Sequence, residues 1–165
     1  MNEHLDHAAI ERLIPHRGPM CLLDRLESWD ATRIVCVATN HRDPRHPLRT
    51  RSGLLASATI EYAAQAMALH GALLGRAAGV EPSAGYLASA RGVVLARWRL
   101  DDLPAGTDAA EGAADAFPPD ALRIEATRQA GDARQILYAF DVTHRGSAVA
   151  SGRAAVVLNT SIEPR

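Results

Sequence analysis

The sequence predicts an α+β domain in which a curved antiparallel sheet wraps around one long buried helix. Three observations carry that expectation. Residues 52–76, SGLLASATIEYAAQAMALHGALLGR, are apolar on nearly every side. A helix of that kind is enclosed by other structure rather than lying on a surface. After it the periodicity switches to two, as in ALRIEATR and ILYAFDV. Strand-like runs also precede it, which puts the helix on one face of an antiparallel sheet.

Residues 5–13 suit a short amphipathic helix with Leu5, Ala8, Ala9, Ile10 and Leu13 on one side, stopped by Pro15 and Gly18-Pro19. Residues 20–26, MCLLDRL, suit a strand, and 32–39, TRIVCVAT, a second strand paired with it. Pro44 and Pro47 make 40–51 a loop, rich in His41, His46, Arg42, Arg45, Arg49 and Arg51. Ser52 is the expected N-cap of the long helix, with Gly75 and Gly79 as stop signals. Residues 85–90 and 93–100 read as one long strand, or two joined at Gly92. Residues 104–120 hold four acids and no base, and are expected to form a mobile insert or a long hairpin loop. Strands over 121–128, 136–142 and 149–158 follow, with turns at Gly131-Asp132 and Arg145-Gly146. Meandering strands on both sides of one buried helix make this a hot-dog fold, a single domain over 1–165. Its open sheet edges are expected to be closed by dimerisation.

Composition excludes several classes of function. The formal net charge is -1, so the chain has no general field for nucleic acid or an anionic membrane. Cys21 and Cys36 have neither metal-ligand spacing nor a disulfide pattern. The N-terminal stretch lacks the apolar run of a signal peptide, and polar residues interrupt the long helix too often for a membrane span. The expectation is a cytoplasmic protein. No glycine-rich phosphate cradle occurs, so no cofactor is expected.

Two segments resemble the β-hydroxyacyl-acyl-carrier-protein dehydratases. Residues 13–25, LIPHRGPMCLLDR, look like that family's Leu-Pro-His-Arg-x-Pro opening with its apolar run and Asp-Arg. Residues 61–65, EYAAQ, look like its Glu-Ala-Met-Ala-Gln at the start of the central helix. GYLASARGVVL (85–95) and SGRAAVVL (151–158) resemble the dehydratase-like branch found with aryl-polyene clusters. One departure stands out. Those enzymes carry a Gly-His-Phe-Pro segment before the helix, and its His is the base; here the place reads RSGLL (51–55).

The resemblance implies elimination of water from a 3-hydroxyacyl thioester on an acyl carrier protein. That reaction needs a base for the C2 proton and an acid for the departing hydroxyl. A carboxylate set in an apolar helix is costly unless paired or used, and Glu61 is the expected acid. Gln65, one turn on, would orient Glu61 or hold a water. His16 is the leading substitute for the missing base, with His41 and His46 as further candidates; Pro15, Arg17 and His46 are expected near substrate. Arg42, Arg45, Arg49 and Arg51, joined by Arg97 and Arg99, would steer an acidic carrier and bind its phosphopantetheine phosphate. The expected assembly is a homodimer, or a heterodimer with another hot-dog protein. His70, Tyr62 and Met67 read as core or contact residues, and no metal site is expected. Two alternatives stay open: a non-catalytic hot-dog subunit paired with an active dehydratase, and a thioesterase of the same fold.

Overall fold

The computed structural model describes residues 4–81, 85–105 and 118–158. The first helix, α1 (His7–Leu13), opens on the Asp6 side chain, which accepts the Ala9 N–H at 2.9 Å. It is followed by the strands β1 (Arg25–Trp29) and β2 (Arg33–Ala38). The long helix is α2 (Thr59–Ala77). Then come β3 (Gly85–Leu95), β4 (Leu122–Gly131), β5 (Gln135–His144) and β6 (Ser147–Leu158). All six strands form one antiparallel sheet in the order β1-β2-β4-β5-β6-β3.

Alternation sets the inner face. Ile136, Tyr138, Phe140 and Val142 of β5 and Leu122, Ile124 and Ala126 of β4 are buried against α2. Gly152 of β6 is required by close approach: a Cβ there would lie 2.9 Å from the Phe140 ring. Gly92 takes a positive φ of 58° inside an irregular stretch of β3–β6 pairing, and β3 stays one strand. The hairpin β5–β6 turns at Arg145-Gly146, both with positive φ.

Three boundaries differ from the sequence expectation. Residues 18–20 form a 3-10 turn and the strand begins only at Arg25, so β1 lies later than residues 20–26. The long strand ends at Leu95 rather than at 100. Ser52 does not cap α2. Thr50 and Gly53 exchange backbone hydrogen bonds in a tight turn, with Gly53 at φ +97°. Residues 54–56 then bond to 98–100, through Leu100 N to Leu54 O and Ala56 N to Trp98 O. Only after this tether does the helix begin. Asp101 fastens the same segment: it accepts the Leu54 N–H and is clamped by Arg99 and Arg49. The Arg99 hydrogen bond chiefly holds its carboxyl down at about 2. Most of the 104–120 insert lies outside the described residues.

The helix is not wrapped on every side by its own chain. Tyr62, Ala63, Ala66, Leu69 and Leu73 are buried, but Glu61, Ala64, Ala68, Gly71 and Gly75 form a half-open stripe. Its C-terminus closes as a Schellman turn, with Val80 N bonded to Gly75 O and Gly79 at φ +67°. Among the described residues no helix is long and apolar enough to cross a membrane.

Candidate active site

Pro15 and Gly18-Pro19 end α1 and turn the chain back across the N-terminal end of α2. Arg17 braces this turn by donating to the carbonyls of Glu11, Ile14 and His16. The turn delivers His16 to Glu61, and His16 Nε2 lies 2.9 Å from Glu61 Oε1. Both side chains are about one-third exposed, 27% and 31%. The same Oε1 accepts a hydrogen bond from Gln65 Nε2 at 3.0 Å. Gln65 is fully buried and fixed at its other positions: Nε2 also donates to Met20 O, and Oε1 accepts from Leu22 N. The helix N-terminus adds its positive end to a carboxylate in its first turn. His16 Nδ1 is buried with no partner. When the ring is neutral and Nε2 donates to the carboxylate, Nδ1 carries the lone pair.

A groove of about 710 Å³ opens beside this cluster. Pro15 and Arg17, the neighbours of His16, line one end, and Ala68, Gly71 and Gly75 of the half-open stripe form one wall. Ile136, Tyr138 and Val156 form the sheet side. From Glu61 to Gly75 the helix rises about 21 Å.

The other predicted residues are placed differently. His46 is buried with both nitrogens engaged, Nε2 with Tyr62 Oη at 2.9 Å and Nδ1 with Leu48 N, and burial lowers its pKa. No hydrogen bond joins it to Glu61 among the described residues. His41 is buried beside His144, away from Glu61's hydrogen-bond set, and burial pushes its pKa down to about 4. His70 bonds Tyr138 Oη and Asp30 O, as a core histidine does. The arginines do not form one cationic cluster. Arg42 pairs with Asp120, Arg45 with Asp43, and Arg49 and Arg99 with Asp101. Arg51 alone of the loop four has no ion pair among the described residues. The sequence reading missed His144, because nothing in the strand alternation marks a buried histidine at its end. Among the described residues no group of three or more His, Cys, Asp or Glu is placed to hold a metal.

A sheet folded round one helix, with an imidazole–carboxylate–amide cluster at the helix start and a groove beside it, defines a hot-dog protein. A family model described as ApeP dehydratase matches residues 8–107, well over half of the chain. The chain belongs to the ApeP-like dehydratase family. Among solved structures it is similar to the dehydratase heterocomplex ApeI:P from Xenorhabdus doucetiae, at 22% identity and a TM-score of 0.71 over 93% of each chain. It is also similar to AziG of S. sahachiroi, at 18% identity and a TM-score of 0.53 over 89% of this chain and 98% of that one. The thioesterase HI1161 of Haemophilus influenzae aligns over 98% of this chain and 96% of its own, at 10% identity and a TM-score of 0.56. At such identities these likenesses speak for the hot-dog fold alone. No curated protein sequence matches the chain.

Proposed function

We propose that the chain is a subunit of a 3-hydroxyacyl-[acyl-carrier-protein] dehydratase acting in the cytoplasm on fatty-acid-like or polyene chains. The carrying observation is the 2.9 Å contact between His16 and Glu61, beside a groove that the neighbours of His16, Pro15 and Arg17, help to line. Family membership supports the reaction class. The apolar part of the groove, with Met67, Leu74, Ile136, Val156 and Leu158, suits the acyl chain, and Pro15 and Arg17 share its lining.

The contact changes how the two groups share the work. A base and an acid on opposite sides of a substrate would stand apart; here they touch and act as one unit with one shared proton. In this reading the unit takes the proton from C2, and the C–H bonding pair forms the C2–C3 double bond as the C3–O bond breaks. It returns that proton to the C3 hydroxyl, which leaves as water. The pair ends as it began. Glu61 Oε2, which accepts no hydrogen bond from His16 or Gln65, faces the substrate, and Gln65 fixes the carboxylate plane.

A second reading is favoured by the sheet edge. β3 is an edge strand, and its Leu87 and Leu95 are about 40% exposed. A second hot-dog subunit pairing there would close the edge and supply the histidine that RSGLL lacks. ApeI:P is such a heterocomplex by name. The test is to incubate the purified chain with a 3-hydroxyacyl carrier substrate, alone and with a candidate hot-dog partner, and follow loss of water by mass spectrometry. Turnover by the chain alone that disappears in Glu61→Gln supports the self-contained pair. Turnover only with the partner, insensitive to Glu61→Gln, assigns this chain a non-catalytic role. Release of free carrier thiol instead makes it a thioesterase.

A further inference from the structure

Away from the His16–Glu61 pair, two histidines are buried with ring nitrogens unused. His41 Nδ1 and Nε2 and His144 Nε2 have no hydrogen-bond partner. The two rings meet edge-on with centroids 5.8 Å apart. His144 is 3% exposed, and the Asp120 backbone bonds its ring. A polar atom left unmet at such depth is unfavourable unless something arrives to meet it.

His144 lines a pocket of about 140 Å³ together with Arg97, Arg145 and Ser147, which are exposed at its rim, and the apolar Leu103, Pro104 and Val149. At about 30 Å³ per water molecule this is room for a small tetrahedral anion. Arg97, Arg145 and Ser147 can donate into it, and no carboxylate is among the lining. With one His144 ring nitrogen spent on the Asp120 backbone, Nε2 donates to an anion once the ring takes up a proton, which an anion in the cavity favours. The nearby acid, Asp120, is already taken by Arg42 at 2.6 Å. Arg97 has no ion pair or hydrogen bond among the described residues, and Arg145 makes only a 3.5 Å contact with Ala105 O. Arg145 also holds a φ of +50° at the β5–β6 turn. A two-residue turn of this hand favours Asn-Gly, and an arginine there is strained. The strained position carries a guanidinium over the cavity. Strain of this kind collects where a site needs it.

We propose that Arg97, Arg145, His144 and Ser147 form a binding site for a phosphate group. Guanidinium forks match phosphate oxygens in geometry and charge, and the hydroxyl and ring add single donors. The group has two possible sources, inorganic phosphate or the phosphodiester of a phosphopantetheine arm. The second source rests on the dehydratase reading. Arg97 directly precedes Trp98 and Arg99, which pair with Ala56 and Leu55 just ahead of α2. The site therefore lies at the same end of the sheet as Glu61.

The experiment titrates the full chain with inorganic phosphate, 4′-phosphopantetheine and pantetheine, following histidine ring resonances by NMR and heats by calorimetry. Saturable binding of the two phosphate compounds with movement of the His144 resonance is expected, and none of that movement with pantetheine. The double variant Arg97→Gln/Arg145→Asn should weaken this binding at least about tenfold with the fold intact, since asparagine accepts a positive φ. Tighter binding of phosphopantetheine than of phosphate identifies the arm as the source, and equal binding identifies the free anion. Absence of saturable binding, or equal binding by the double variant, overturns the proposal. The readout is independent of turnover. Phosphate binding with no dehydration, either alone or with a hot-dog partner, leaves this site standing and removes the dehydratase reading, while dehydration without phosphate binding does the reverse.

Discussion

Glu61 holds its place because two donors converge on one of its oxygens, leaving the other free for chemistry. Glu61→Gln is expected to slow dehydration at least about 100-fold, the scale of a lost proton-transfer group. His16→Ala should cost a similar factor without unfolding the chain. If the two share one proton, the double variant is no slower than the slower single one; multiplied losses, measured in single turnovers, would show separate roles. Gln65 is a structural strut as well. Gln65→Leu strips the buried Leu22 N–H of its acceptor and is expected to cost about 1–3 kcal/mol in urea unfolding. His41 gives stability a pH dependence. Burial pushes it to about 4 in the folded chain, against roughly 6.5 unfolded. Between those values the unfolded chain binds more protons, so stability is full above about pH 6.5 and falls as pH drops toward about 4. Urea midpoints at about pH 7.5 and about pH 5 measure the fall, and His41→Leu should reduce it.

At the scale of elements, α2 carries most of what the site needs. The four-residue spacing of Glu61 and Gln65 was legible from the sequence, because helical geometry alone puts them on one face. The Pro-His-Arg segment marks His16 only through its resemblance to the dehydratases, and the structure brings that ring to Glu61. Other features depend on partners far along the chain and were not legible. The helix starts at Thr59 because residues 54–56 are tied to 98–100, a pairing no local pattern announces. The loop arginines looked like a cluster, yet Asp101 and Asp120 pull Arg49 and Arg42 apart from it. His46 looked like a loop residue, but its ring is drawn into the core by Tyr62. Gly71 is a further case. It sits mid-helix at an ordinary φ, and a Cβ there meets nothing within 4 Å. Its smallness therefore keeps the groove wide. Gly71→Leu should shift turnover toward shorter acyl chains, read from a chain-length series. The substitution raises helix propensity, by up to about 1 kcal/mol, so lost long-chain turnover would not reflect unfolding.

For the whole molecule the governing feature is the unpaired edge of β3. Leu87 and Leu95, together with Trp98 at 89% exposure, leave apolar surface along that edge. Leu87→Arg with Leu95→Arg should leave the chain folded but monomeric in sedimentation, while a protein that stays associated would place its interface elsewhere. The edge strand also continues, past Leu95, into the 98–100 stretch that anchors residues 54–56 in front of α2. Any pairing along β3 and the placing of Glu61 thus share one length of backbone. Whatever quiets β3 should also quiet the tied segment that leads into Glu61's helix. Amide exchange at Leu100 and Ala56 would report it, slowing as protein concentration rises.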